Sequence, residues 1–222
     1  MIKNVKKCLI VFICFLILLF VFNIIYKNKY SRNSIIELVK KSNLPNNVYI
    51  ENNIYGNDLN STYGFAKFYI KDNIEYIYQE NNNKEKTETY INNENNTSIT
   101  ILHPEKSITK NINNNIFFEV PSKKALLEQL NNSLQYNYIY CGKKQLNELD
   151  CIKISIINIA ENSIFNYYID ENSGYIIKYE FCNSNKDIEK IETYEYKINA
   201  VTDEHLNNFN LENYSDYTFY DN

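Results

Sequence analysis

Ile164-Phe165-Asn166-Tyr167-Tyr168-Ile169-Asp170-Glu171-Asn172-Ser173-Gly174-Tyr175-Ile176-Ile177-Lys178-Tyr179-Glu180-Phe181-Cys182 decides the fold of this chain. Two runs rich in aromatic and β-branched residues flank Asp170 to Gly174, whose Asp, Asn, Ser and Gly are turn formers. The spacing predicts an antiparallel hairpin, with Gly174 at positive φ. Side chains alternate across a strand, so Phe165, Tyr167 and Ile169 share one face, and Tyr175, Ile177, Tyr179 and Phe181 are expected to join them. Ile152, Ile154 and Ile156 of the preceding run Glu148–Ile157 fall on the same face. Lys153, Ser155, Asn166, Lys178 and Glu180 fall on the other. One side of this sheet is wet and the other strongly apolar.

Outward from the hairpin, Tyr136–Cys141 and Ile188–Asn199 read as further strands, giving five in succession with short, hence antiparallel, connections. Towards the N-terminus the period of two returns in Val48–Tyr55, Tyr63–Ile70, Ile74–Tyr78 and Ser98–His103, with shorter candidates at Glu105–Thr109 and Ile116–Val120. Two helices interrupt the pattern. Ser34–Lys41 carries Ile35, Leu38 and Val39 on one face. The other is opened by Pro121-Ser122, has a stripe of Ala125, Leu126, Leu127 and Leu130, and ends at Asn131-Asn132. Residues 203–209 suggest a helical turn, and residues 211–222 a loose tail. The expected fold is mainly β (α+β), a strongly curved antiparallel sheet or half-open barrel covered by one or two helices.

Nineteen residues from Cys8 to Tyr26 are apolar apart from Asn23, with Lys3, Lys6 and Lys7 before them and Lys27, Lys29 and Arg32 after. As a helix this run reaches roughly 28 Å, the thickness of the hydrocarbon core of a bilayer. No small residues stand where a signal peptidase would cut, and neither Cys8 nor Cys14 sits in a lipoprotein signal. The organisation expected is a basic N-terminus (1–7), a transmembrane signal-anchor helix (8–26), a tether (27–33), an extracytoplasmic β-rich domain (34–210) and the tail (211–222). The flanking charges are nearly balanced, and the short basic N-terminus favours retention inside. The chain is therefore expected in the cell membrane, single-pass, with its C-terminal domain outside the cytoplasm.

The first 26 residues hold three lysines and no acid, leaving 20 basic residues against 27 acidic ones. A domain of that balance has no basic stripe for nucleic acid. The two histidines, His103 and His205, are far apart and no Cys/His cluster has zinc spacing. Four glycines leave no Gly-rich phosphate loop and no nucleophile elbow. No catalytic residues, metal ligands or cofactors are expected, and the chain reads as a non-enzyme. Of the cysteines beyond the apolar stretch, Cys141 and Cys151 fall at the same end of neighbouring strands and could form a disulfide, whereas Cys151 and Cys182 fall at opposite ends. Three reduced, partly buried thiols are the other reading.

Tyr138 to Ser155, followed by Tyr167 to Glu180, resembles the LolA-like outer-membrane lipoprotein carrier superfamily. The shared features are a strand containing Gly142, a strand closing on Tyr168-Ile169-Asp170, an acidic-x-x-Gly turn at Glu171–Gly174, and a strand of alternating apolar and charged residues. The resemblance spans residues 136–182. It implies a half-open sheet closed by helices over an apolar cavity that holds a lipid or acyl chain, or a domain that senses envelope stress. Ile152, Ile154, Ile156, Phe165, Tyr167, Ile169, Tyr175, Ile177, Tyr179 and Phe181 are then the candidates for the cavity wall. The apolar anchor and the absence of a lipobox favour a fixed role over a shuttling one. Expected partners are the membrane through residues 8–26, a lipid or acyl-chain ligand, or another envelope protein. A protein-interaction or sensory domain without a lipid ligand is the alternative reading.

Overall fold

The computed structural model describes residues 15–18, 29–57, 62–112, 120–207 and 211–221. Six strands, β1 (Asn47–Tyr55), β2 (Thr62–Lys71), β3 (Ile74–Asn81), β4 (Lys86–Asn92), β5 (Thr97–Leu102) and β6 (Ser107–Ile112), form one antiparallel meander. Five more, β7 (Tyr136–Leu146), β8 (Leu149–Asn158), β9 (Ile164–Asp170), β10 (Ile176–Cys182) and β11 (Ile188–Ile198), form a second. Antiparallel pairing of β1 with β11 fuses the meanders into one curved, unclosed sheet, with β7 at one edge. At the other edge β12 (Thr218–Asp221) lies parallel to β6.

Helix α1 (Arg32–Lys41) starts where the Ser31 hydroxyl accepts the Ser34 N–H at 3.3 Å, an N-cap, and ends with Lys40 and Lys41 at the negative end of its dipole. Helix α2 (Pro121–Asn131) begins with a proline, whose missing N–H costs nothing there. Ile35 and Val39 of α1 and Leu126 and Leu130 of α2 press onto one face of the sheet. There they meet Val48 and Ile50 of β1, Phe68 and Ile70 of β2, Ile152, Ile154 and Ile156 of β8, and Tyr167 and Ile169 of β9. The Tyr167 hydroxyl, fully buried, donates to Gln129 of α2 at 3.0 Å, so the polar end of this ring is satisfied inside the core. Lys123 of α2 donates to the Ser42 carbonyl just beyond α1 and ties the two helices together.

The expected hairpin forms, and Gly174 has φ +75°. Its register differs in one respect. Ile176 faces Ile169, yet the next paired residue, Tyr168, faces Lys178, so Ile177 is an extra residue on β10. This bulge turns Ile176 to the helix-covered core and sends Tyr175 and Ile177 to another cluster with Cys151 and Tyr168. The expectation that Tyr175 and Ile177 share a face with Tyr167 is therefore corrected. Tyr179 opposite Tyr167, and Phe181 opposite Phe165, keep the expected alternation.

Three further corrections concern ends and edges. Strand β7 continues past Cys141 to Leu146, where Asn147 and Glu148, both at positive φ, make a two-residue turn. Cys151 thus faces Lys144, three residues beyond Cys141. Roughly 10 Å of strand separates the two cysteines, beyond the reach of a disulfide, and both are free. The described part of the tail, residues 211–221, is not loose. A 3-10 turn (Leu211–Tyr214) and β12 are pinned by Glu88, which receives the Tyr214 hydroxyl at 3.1 Å and lies 2.7 Å from His103 Nε2, while His103 Nδ1 lies 3.0 Å from the Tyr217 hydroxyl. Strand β4 is an addition to the sequence reading. The strand candidate at 116–120 lies outside the described residues except for Val120, the N-cap of α2.

Most of the apolar stretch 8–26 also lies outside the described residues. Phe15 to Leu18 are helical with exposed side chains, and among the described residues no helix is long and apolar enough to cross a membrane. Helix α3 (Asp203–Asn207) is the helical turn expected near 203–209, with the His205 ring stacked on Tyr69.

Candidate ligand groove

Two neighbouring strands of the second meander do not stay together. The β10–β11 ladder includes Lys178 opposite Thr193, but residues 195–198 of β11 pair only with β1, and Ile176 pairs only with β9. Where they part, a groove of about 560 Å³ opens, a volume within the usual range for small-molecule sites. Tyr175 and Ile177 from the first turn of chain into β10, Tyr194, Tyr196 and Ile198 from β11, and Leu149 from the start of β8 supply its apolar wall. Leu149 is 38% exposed and Ile198 57% exposed, so aliphatic side chains face solvent in this wall.

The tyrosines are held rigidly. Tyr175 stacks on Tyr196 with centroids 4.6 Å apart and planes 17° from parallel. The Tyr196 hydroxyl bridges the gap by donating to the Ile176 carbonyl at 3.1 Å, and the Tyr175 hydroxyl donates to the Asn43 carbonyl beyond α1 at 3.0 Å. Burial raises the pKa of both Tyr194 and Tyr196, with Glu192 adding to the first and Tyr175 to the second, so these hydroxyls stay neutral. Asp170 is occupied within its own turn, accepting the Ser173 N–H at 3.0 Å and the Ser173 hydroxyl as well. Glu195 is paired with Lys197 at 3.1 Å. The wall offers aromatic and aliphatic surface and no unpaired cation that would select an anion.

Beside the groove, the segment expected as a tether is fastened to the domain. Tyr30 is only 3% exposed, stacked on Tyr140 with centroids 4.5 Å apart. Its carbonyl accepts from the Tyr138 hydroxyl, and its own hydroxyl donates to Glu171 at 3.0 Å. Lys29 reaches the same carboxylate at 2.7 Å, and Lys143 reaches its other oxygen. Burial alone would raise the Glu171 pKa, but the bonds from Lys143, Lys29 and Tyr30 outweigh it and hold it down at about 2. The tether of residues 27–33 is accordingly corrected: from Lys29 onward it is part of the fold.

Of the residues expected to line a cavity, Tyr175 and Ile177 line the groove. Ile152, Ile154, Ile156, Tyr167 and Ile169 are buried beneath the helices, with Phe165 and Tyr179 packed against them and Phe181 beside Phe165. Tyr194, Tyr196 and Ile198 are legible as an alternating run within Ile188–Asn199; only the parting of β10 from β11 gives them a role. Among the described residues no group of three His, Cys, Asp or Glu side chains could hold a metal ion.

No protein-family model and no curated protein matches the chain. Solved structures do. An uncharacterised conserved protein from Thermus thermophilus superposes with a TM-score of 0.52 at 12% identity, covering 86% of this chain and 98% of that one. MucB in the Pseudomonas aeruginosa MucA/MucB complex gives 0.44 at 10% identity, with 82% and 62% covered. A LolA superfamily protein from Nitrosomonas europaea gives 0.30 at 9% identity, with 78% and 96% covered. The likeness to the Thermus thermophilus protein is one of fold.

Proposed function

We propose that this chain is a membrane-anchored, extracytoplasmic, β-rich protein of the cell envelope that binds a lipid acyl chain and catalyses no reaction. The observation that carries the reading is the groove where β10 leaves β11. It has the volume of a small-molecule site, stacked aromatic walls, exposed Leu149 and Ile198, and tyrosine hydroxyls already occupied. Such a surface gains from apolar contact and offers little to a charged ligand. The anchor reading draws on the stretch Cys8–Tyr26 and its lysine flanks. Native mass spectrometry of the full chain, released from detergent, tests the reading. Phospholipid- or fatty-acid-sized mass increments are expected, and Ile177→Trp, which fills the groove, should abolish them. A chain that flies empty after extraction from lipid-rich membranes would overturn it.

The second reading is a docking domain for another envelope protein, favoured by the edge strand β7. Among the described residues its eleven residues have a neighbouring strand on one side only, with Ile139 exposed. Such an edge is a template for an added strand.

A further inference from the structure

The fastening of residues 29–31 has a geometric consequence that rests on the anchor and ligand readings above. Two residues, Lys27 and Asn28, separate Tyr26, the last of the apolar run, from Lys29, and the three steps between them span at most about 11 Å even when fully extended. Lys29 and Tyr30 are bonded to Glu171. Glu171 follows Asp170 and precedes Ser173, both in the groove wall, and its N–H donates to the Asp150 carbonyl next to Leu149. Lys29, where the described domain begins, and the groove wall at Asp170, Ser173 and Leu149 are therefore at the same end of the domain. The turns 159–163 and 183–187 lie at the opposite end of the same strands, roughly 20 Å away along a seven-residue strand.

We propose that Lys29-Tyr30-Ser31 is a strap that fixes the domain against the bilayer from which it emerges, with the groove mouth turned to the lipid surface, so that the acyl chain it takes is drawn from that same bilayer. A freely jointed tether would let the domain tumble and present every face. A strap with a buried, stacked tyrosine and a carboxylate shared by two lysines presents one. Lys29 and Lys143 keep about half of their side chains in water. They stand where phospholipid phosphates would lie.

The test uses the full chain in phosphatidylcholine nanodiscs containing doxyl-labelled phosphatidylcholine, with a fluorophore on one accessible cysteine at either end, in a background of Cys8→Ala, Cys14→Ala and Cys141→Ser that leaves only the buried Cys151 and Cys182 besides. The positions are Leu149→Cys at the groove mouth and Asn185→Cys in the exposed turn 183–187. Quenching is expected to be several-fold stronger at 149 than at 185. A ten-residue Gly-Ser insertion between Lys27 and Asn28 leaves every described contact intact and adds roughly 17 Å of flexible chain, and should erase the difference. Tyr30→Ala should do the same, and the insertion keeps the test decisive if that variant unfolds. Equal quenching at both positions, or a difference that survives the insertion, overturns the strap. A chain that fails to incorporate into the discs overturns the anchor and the strap together. Strong quenching at 149 from a chain that flies empty in the mass spectrometer keeps the orientation and overturns the acyl-chain ligand alone.

Discussion

Adding one methyl group to Gly174 should loosen the hold of α1 on the hairpin turn, by an amount that a matched control isolates. Gly174 has φ +75°, where an L side chain costs about 1–2 kcal/mol. A Cβ there would also lie 2.5 Å from the Leu38 carbonyl oxygen in α1, well inside an ordinary C···O contact of about 3.3 Å, and 3.1 Å from Ser42 Cβ. The oxygen is backbone and cannot swing aside, so helix or turn must move, an overpacking cost of roughly 1–3 kcal/mol. The sum is about 2–5 kcal/mol, a fall in melting temperature of roughly 5–15 °C for a domain of this size. Gly142 is the control. Its φ is +100° and an added Cβ would meet nothing within 4 Å, so Gly142→Ala carries the backbone cost alone, about 1–2 kcal/mol. Thermal melts followed by circular dichroism compare the pair. If both variants melt together, the turn does not press on α1.

Tyr167→Phe removes a buried hydroxyl and strands Gln129, so urea denaturation should show a loss of about 1–3 kcal/mol with an unchanged m-value. Glu171 gives the strap an acid limit. Its carboxyl is held at about 2 in the folded chain against an ordinary 4.5, so between those values the unfolded chain binds more protons. The contribution of Glu171 is full above pH 4.5 and is lost as the pH falls towards 2. Hydrogen exchange at Tyr30 and Ser31 should rise through that window, and Glu171→Gln should flatten the rise; an unchanged profile in the variant would mean the carboxylate does not hold the strap. Thiol titration at pH 8 should modify exposed Cys141 and spare Cys151 and Cys182, with Cys151 pushed up to about 11 by burial and by Asp170 and Asp150. Rapid labelling of Cys151 in the folded chain would contradict the packing of the Ile177 cluster.

What the sequence discloses, and where it stops, follows from the range of the forces. The hairpin around Asp170–Gly174, the run of five strands from Tyr136 and both helices are written in local periodicity and turn chemistry, and all appear. Strand β4 escapes such a reading because Thr87, Glu88 and Thr89 give its face no apolar period; it is held by ladders to β3 and β5. The extra residue at Ile177 is invisible to alternation, because Tyr175-Ile176-Ile177 supports either register equally well. Choosing between registers requires the helix-covered core of Ile35, Val39, Leu126 and Leu130 to be assembled with Ile176 in it. The tether misleads for a related reason: Lys29-Tyr30-Ser31 looks polar and solvated until Tyr138, Tyr140 and Glu171, more than a hundred residues later, are brought beside it. The groove itself is beyond local reading, being a space left where two strands separate.

The seam between the meanders also sets an order of assembly. Val48 pairs with Ile198, 150 residues further on, so a chain synthesised from its N-terminus exposes β1 long before its partner exists. β1 can pair with β2 at once, but its other edge has to wait until nearly the whole sequence has been made. The β7–β11 meander, all short-range hairpins, is free to form first and then capture that waiting edge. Closing a sheet across such a distance is the slow, high-contact-order step, and the interval before it is when β1 is most open to a neighbouring chain instead.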